Sequence, residues 1–162
     1  MQWQIISRLQ YSPTGLPLTW ELTQPPRYVC VDGYDWTWPR GARFDGCSGP
    51  RPVWWYRPPL DGTWFDYDWL HHDMLSRCWR LLELRPSYVQ DVFRRGLIAH
   101  GMRPYRARMK QIFTWPFVAL MSPGDGLTGD ERYDQSVWGG LSLPEWVREN
   151  YPAGPVPYDP TA

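Results

Sequence analysis

An α+β fold is what this sequence predicts: a small antiparallel sheet of three or four short strands, packed by three helices. Three observations predict it. Residues 1 to 45 alternate apolar and polar side chains in short runs cut by Pro and Gly. From about residue 64 to 120 the apolar spacing changes to three and four. The chain of 162 residues, with 17 Lys+Arg against 17 Asp+Glu, suits one domain with a core of its own.

The strands come first. Trp3-Gln4-Ile5-Ile6 forms a short run, and Leu16 to Leu22 alternates until Pro25-Pro26 stops it. Tyr28 to Val31 follows, closed by the turn pair Asp32-Gly33, and Trp36-Thr37-Trp38 alternates again before Pro39 and Gly41. Residues 46 to 62 read as a loop packed by Trp54, Trp55 and Tyr56, because Pro58-Pro59 and Asp61-Gly62 prevent a long regular element.

The first helix is expected over Trp64 to Leu82, with Tyr67, Leu70, Met74, Cys78 and Leu81 on one apolar face. Cys78 there behaves as a small buried hydrophobe. Asp68 and His72 are spaced to interact, and Asp73 with Arg77 forms a second, solvated pair. The second helix is capped by Ser87 after Pro86, runs along Val89, Val92, Phe93, Gly96, Leu97 and His100, and ends at Gly101. His100 is placed to face the C-terminal end of its own helix. The third helix opens at Pro104 and lines one face with Tyr105, Met109, Ile112, Phe113, Phe117 and Leu120. Arg103, Arg106, Arg108 and Lys110 lie mostly elsewhere, as a solvated face or one that meets phosphate or an acidic partner. Pro116 kinks or ends this helix.

After Met121 the sequence becomes Gly-rich and polar. Leu143 to Tyr151 suits a helical turn or two opened by Pro144, and PAGPVPYDPTA suits an extended, polyproline-like tail. The expected organisation is therefore an α+β domain over 1–120 and an extended C-terminal arm over 121–162.

Composition narrows the function classes. Balanced charge leaves no nucleic-acid footprint, and no run of 18 apolar residues is present, so no membrane span is expected. Cys30, Cys47 and Cys78 contain no C-x-x-C pair, which argues against structural zinc and for reduced thiols. The first ten residues, MQWQIISRLQ, lack the pattern of a signal peptide. There is no P-loop, no dinucleotide fingerprint and no calcium loop, and no cofactor is expected. The 12 Trp and 18 Pro stand out, proline being roughly twice its usual share of about 5%. Two readings fit: irregular loops pinned by aromatic plugs, or an aromatic-rich surface for a partner.

Chemistry-bearing residues concentrate between Pro39 and Asp73. Asp45, His72 and Asp73 suggest a mixed His/carboxylate metal site, but adjacent helical residues point about 100° apart, so His72 and Asp73 would not share one ion. Cys47 with His71 or His72 has the makings of a nucleophile and base, although no helix N-terminus is aimed at Cys47. Ser48 with His72 and an Asp lacks a Gly-x-Ser-x-Gly elbow. The structural alternative has His72 bonding Asp45 or the Ser48 loop, so that Asp45, Ser48, His72 and Asp73 form a joint between the β part and the first helix.

On these residues the chain resembles domain of unknown function 1353, a small family frequent in tailed-phage and prophage genomes. Pro39 and Gly41 lead to Asp45, and Ser48 and Pro50 fill a Ser-x-Pro step. Trp54-Trp55 and Pro58-Pro59 match an aromatic-proline stretch, and His72-Asp73 a His-Asp pair. Phe93 matches a helix-two Phe. Cys47 replaces an Ala, and Gln90 stands where the family carries Asp. The likeness spans roughly residues 3 to 120 and implies a phage context rather than a reaction. The expected function is a phage structural or accessory protein of the tail, tail tip or head–tail joint, made in the bacterial host cytoplasm and a candidate for the virion. Its partners would be other phage structural proteins, met through Trp54, Trp55, Tyr56, Trp138, Trp146 and Tyr158. The alternative is a hydrolase, cell-wall-directed or metal-assisted, built on Asp45, Cys47, Ser48 and His72.

Overall fold

The computed structural model describes residues 4–5, 10–13, 20–25, 27–29, 33–44, 65–116, 118 and 140–157. Helices and short strands are both present, so the protein is of mixed α/β class. The strands are β1 (Gln4–Ile5), β2 (Tyr11–Pro13), β3 (Trp20–Leu22), β4 (Arg27–Val29), β5 (Tyr34–Thr37), β6 (Arg43–Phe44) and β7 (Val156–Pro157). The helices are α1 (Phe65–Cys78), α2 (Pro86–Ala99), α3 (Pro104–Pro116) and α4 (Leu143–Asn150).

The strands pair in two separate antiparallel groups, β1-β4-β5-β7 and β2-β3-β6, rather than in the single sheet expected. Within the first group Tyr28 opposes Trp36, and Asp35 opposes Val156. Gly41, at φ 84°, turns the chain after β5 so that its N–H reaches the Leu22 carbonyl at 2.8 Å.

Local chemistry explains the helix ends. Pro86 occupies the first turn of α2, and the residue before a proline is pushed towards extended backbone. Arg85 accordingly sits at φ −98°, ψ 146° as the N-cap, with no side-chain cap bond, so Ser87 does not cap this helix. At the other end Gly101 takes φ 96°, and the Met102 N–H closes on the Leu97 carbonyl at 2.8 Å. At α4 the Glu145 carboxylate accepts both the Ser142 N–H (2.8 Å) and the Ser142 hydroxyl (2.6 Å).

α1 is the central element, with twelve of its fourteen residues buried. One side of it packs Tyr67, Leu70, Met74 and Cys78 against Leu22, Trp36, Trp38 and Ala42. The other side packs Trp69 against Phe93 and Leu97 of α2, with Ala107 of α3 and Met102 between those helices. α1 stops at Cys78, so Leu81 lies beyond it and is exposed.

Two expectations change here. Leu143, Trp146, Val147 and Tyr151 belong to the same buried cluster as Trp36 and Trp38, and β7 extends the strand group of β5. Residues 143–157 therefore complete the core instead of forming an arm apart from it. Trp146, read from the sequence as a docking residue, is 6% exposed and stacks on Trp38 at 6.1 Å.

The second change concerns α3. Tyr105, Met109, Ile112 and Phe113 face solvent, as does Trp115, while Ala107, Lys110, Gln111 and Thr114 face inward. The polar inward face follows from what it meets. α2 offers Gln90 and α1 offers the face of Trp69, and both suit polar partners better than aliphatic ones. Phe117 and Leu120 lie outside the described residues.

Candidate functional site

Neighbouring helical residues diverge by about 100°, so His71 and His72 serve different sides of α1. His71 turns towards the β part, its ring 5.1 Å from that of Trp36 and 5.7 Å from that of Trp38. His72 turns towards α2, its ring 4.4 Å from Phe93. His71 is thus the one that meets the described β residues, while Asp45 and Ser48, the expected joint partners of His72, lie outside the described residues.

His72 meets Gln90, with the two Nε2 atoms 3.2 Å apart. The Thr114 hydroxyl lies 3.0 Å from Gln90 Oε1, and Gln111 Nε2 donates to the Gln90 carbonyl at 3.1 Å. The Gln90 amide thus sits between the His72 ring on α1 and the Thr114 hydroxyl on α3. His72 Nδ1 lies 3.7 Å from Asp73 Oδ1. Lys110 reaches into the same seam, its Nζ 4.8 Å from the centre of the Trp69 ring. Gln90 thus ties three helices together.

A further polar pair links the N-terminal part of α1 to the end of α2. His100 Nδ1 and Asp68 Oδ2 are 2.8 Å apart. His100 therefore bridges helices as well as closing its own, and Asp68 pairs with it rather than with His72. Burial pushes the Asp68 carboxyl up to about 6, against the opposing pull of its bond to His100. The neighbouring Asp66 accepts the Tyr11 hydroxyl at 3.0 Å. Asp73, expected to be solvated beside Arg77, is only 6% exposed.

The chemistry open to these groups is limited by enclosure. His71 and His72 are 2% and 4% exposed. Burial, reinforced by the nearby His72, lowers His71 to about 3, which keeps it neutral at physiological pH and removes it as a proton shuttle. Burial raises the Cys78 thiol to about 12, so it is not a nucleophile. Among the described residues no group of three His, Cys, Asp or Glu side chains could hold a metal ion, and no helix is long and apolar enough to cross a membrane. Asp45, Cys47, Ser48, Trp54, Trp55, Tyr56, Trp138 and Tyr158 lie outside the described residues.

Sequence alone does not place His71, Lys110 and Thr114 in the polar interior. A doubled His on a buried helix was the available signal for the first. Lys110, Gln111 and Thr114 share a helical face by their spacing, but a polar stripe reads as solvated unless the partner helix is known.

Gln90→Leu is expected to cost about 1–3 kcal/mol, because it leaves buried polar groups of His72 and Thr114 without their amide partner. Urea unfolding measures the cost, and the His72 ring resonances should shift in the same variant. An unchanged midpoint and spectrum would mean that the amide bridge contributes nothing.

No family model matches the chain, and neither a curated protein nor a solved structure matches it. The fold and the buried polar seam define a mixed α/β protein in which His71, His72, Asp66, Asp68 and Asp73 are buried.

Proposed function

We propose that the chain is a phage structural or accessory protein that works by docking onto neighbouring subunits, most simply in the tail, tail tip or head–tail joint. The observation that carries this reading is an inversion of the usual surface. The described histidines and Asp73 are turned inward, while five large apolar side chains of α3 face solvent. Buried acid–base groups suit a scaffold, and exposed aromatic and aliphatic groups suit a partner. The phage context draws on the order of motifs between Pro39 and Phe93 that resembles domain of unknown function 1353. In this reading the protein is made in the host cytoplasm, is carried in the particle and binds no nucleic acid. No specific observation among the described residues favours the hydrolase alternative.

Mass spectrometry of purified particles tests the proposal. The chain should be present at a fixed copy number relative to the major structural proteins. Particles that assemble fully without it would overturn the reading.

A further inference from the structure

The exposed side of α3 has the pattern of one strand of a coiled coil. Tyr105, Met109, Ile112 and Pro116 are spaced four, three and four residues apart, which places them in a stripe about 60° wide on the helix. In heptad terms they occupy d, a, d and a. The residues flanking such a seam are e and g, and here they are Arg106 and Arg108 in the first turns, then Phe113 and Trp115. Tyr105 is 58% exposed, Met109 47% and Ile112 49%, so the seam is open to solvent.

This orientation is fixed from behind. Gln111 and Thr114 bond to Gln90, and Lys110 sits over Trp69. Rotating α3 to hide its apolar stripe would break these contacts and move the seam's polar members into water. The arginines are also held at the rim. Arg106 Nε donates to the Tyr105 hydroxyl at 3.1 Å, and an Arg108 guanidinium N–H donates to Gln111 Oε1.

Charge decides the occupant. From Arg103 to Pro116 there are four basic residues and no acidic one. A second copy laid along this seam would bring no carboxylate to Arg106 or Arg108 in either direction, because α3 carries none. Guanidinium forks held in place match carboxylates, and a neighbouring helix with acidic e and g positions would supply them. A bilayer surface favours long cationic side chains free to reach headgroups, unlike these braced ones.

We propose that the outer face of α3 is a docking surface for an acidic amphipathic helix of another protein, with Tyr105, Met109 and Ile112 as the apolar seam and Arg106 and Arg108 as its charged rim. The surface does not depend on the particle reading, since the test uses the purified full chain and no virion.

The probe is a displayed library of helices with apolar a and d positions and with e and g drawn from Glu, Lys and Gln. Selection on the full chain should enrich Glu at the positions facing Arg106 and Arg108. Selection on the Arg106→Glu/Arg108→Glu variant should enrich Lys there instead. Ile112→Glu should weaken the selected helices about tenfold or more, with the thermal midpoint of the chain held as a control. Any of three results would overturn the proposal: selection indifferent to charge, self-association of the chain abolished by Ile112→Glu, or binding to phosphatidylglycerol vesicles with no helix enriched.

Discussion

Trp38→Ala is expected to destabilise the protein by about 3–5 kcal/mol, the range for removing a large aromatic side chain from a core. Trp38 is fully buried just past β5, and four rings of the interior pack around it. Its ring lies 5.7 Å from Trp36, 5.7 Å from His71, 6.1 Å from Trp146 and 6.3 Å from Tyr151. Truncation would open a void between β5, α1 and α4 together, and close packing on three sides leaves little room for collapse. Denaturant unfolding followed by circular dichroism measures the cost. Trp115→Ala, on the exposed side of α3, should change stability by no more than about 0.5 kcal/mol. Equal costs for the two tryptophans would contradict the burial assigned to Trp38.

Between about pH 6 and pH 4 the wild-type stability should be nearly level with respect to two buried groups, because they titrate in opposite senses. Asp68 has its folded-state value raised from 3.8 to about 6, chiefly by burial. The folded state therefore binds a proton in that window that the unfolded state does not, and Asp68 adds stability as pH falls. His71 is lowered from 6.5 to about 3, again chiefly by burial. There the unfolded state takes the proton first, so His71 removes stability as pH falls from 6.5. Each group changes stability by about 1.4 kcal/mol per pH unit within its window, with opposite sign. His100 and Asp66 act electrostatically on Asp68, and His72 acts on His71.

The Asp68→Asn variant should expose the imbalance. Its stability should fall by about 1.4 kcal/mol per unit relative to wild type as pH drops from 6 to 4. The slope is the readout, because losing the bond to His100 changes the absolute stability at every pH. Parallel pH profiles for the two proteins would show that Asp68 is not held above its ordinary value.

The sequence made the local punctuation legible and left the faces open. Pro86, Gly101 and Pro104 act on their own backbone, so the bounds of α2 and the start of α3 could be read directly. Which face of α3 turns inward depends on Gln90 and Trp69, residues on other helices, and the apolar spacing pointed the wrong way. Adjacent His71 and His72 must serve two sides of α1, but the sequence does not say which of them meets Trp36 and Trp38. β2, β6 and β7 are two or three residues long, and their strand character comes from their partners. Pro157 lies in β7 at the edge of its group, where a missing N–H costs least. Of the candidate cluster, His72 and Asp73 were located correctly on a helix, and their burial was not apparent without its neighbours.

Tyr151 carries a consequence for how the protein comes into being. Its hydroxyl donates to the Thr37 carbonyl at 2.8 Å and accepts the Thr37 N–H at 3.1 Å, across 114 positions of sequence. On a ribosome, Trp36 and Trp38 emerge long before Trp146, Val147 and Tyr151, the residues that cover them. The nascent chain must hold two large indoles without their final cover until translation has passed residue 151. Contacts this distant in sequence form late, so a chain stopped short of α4 would present those rings to chaperones and proteases instead of a finished core. Quality control of the newly made protein is thereby tied to the completion of α4.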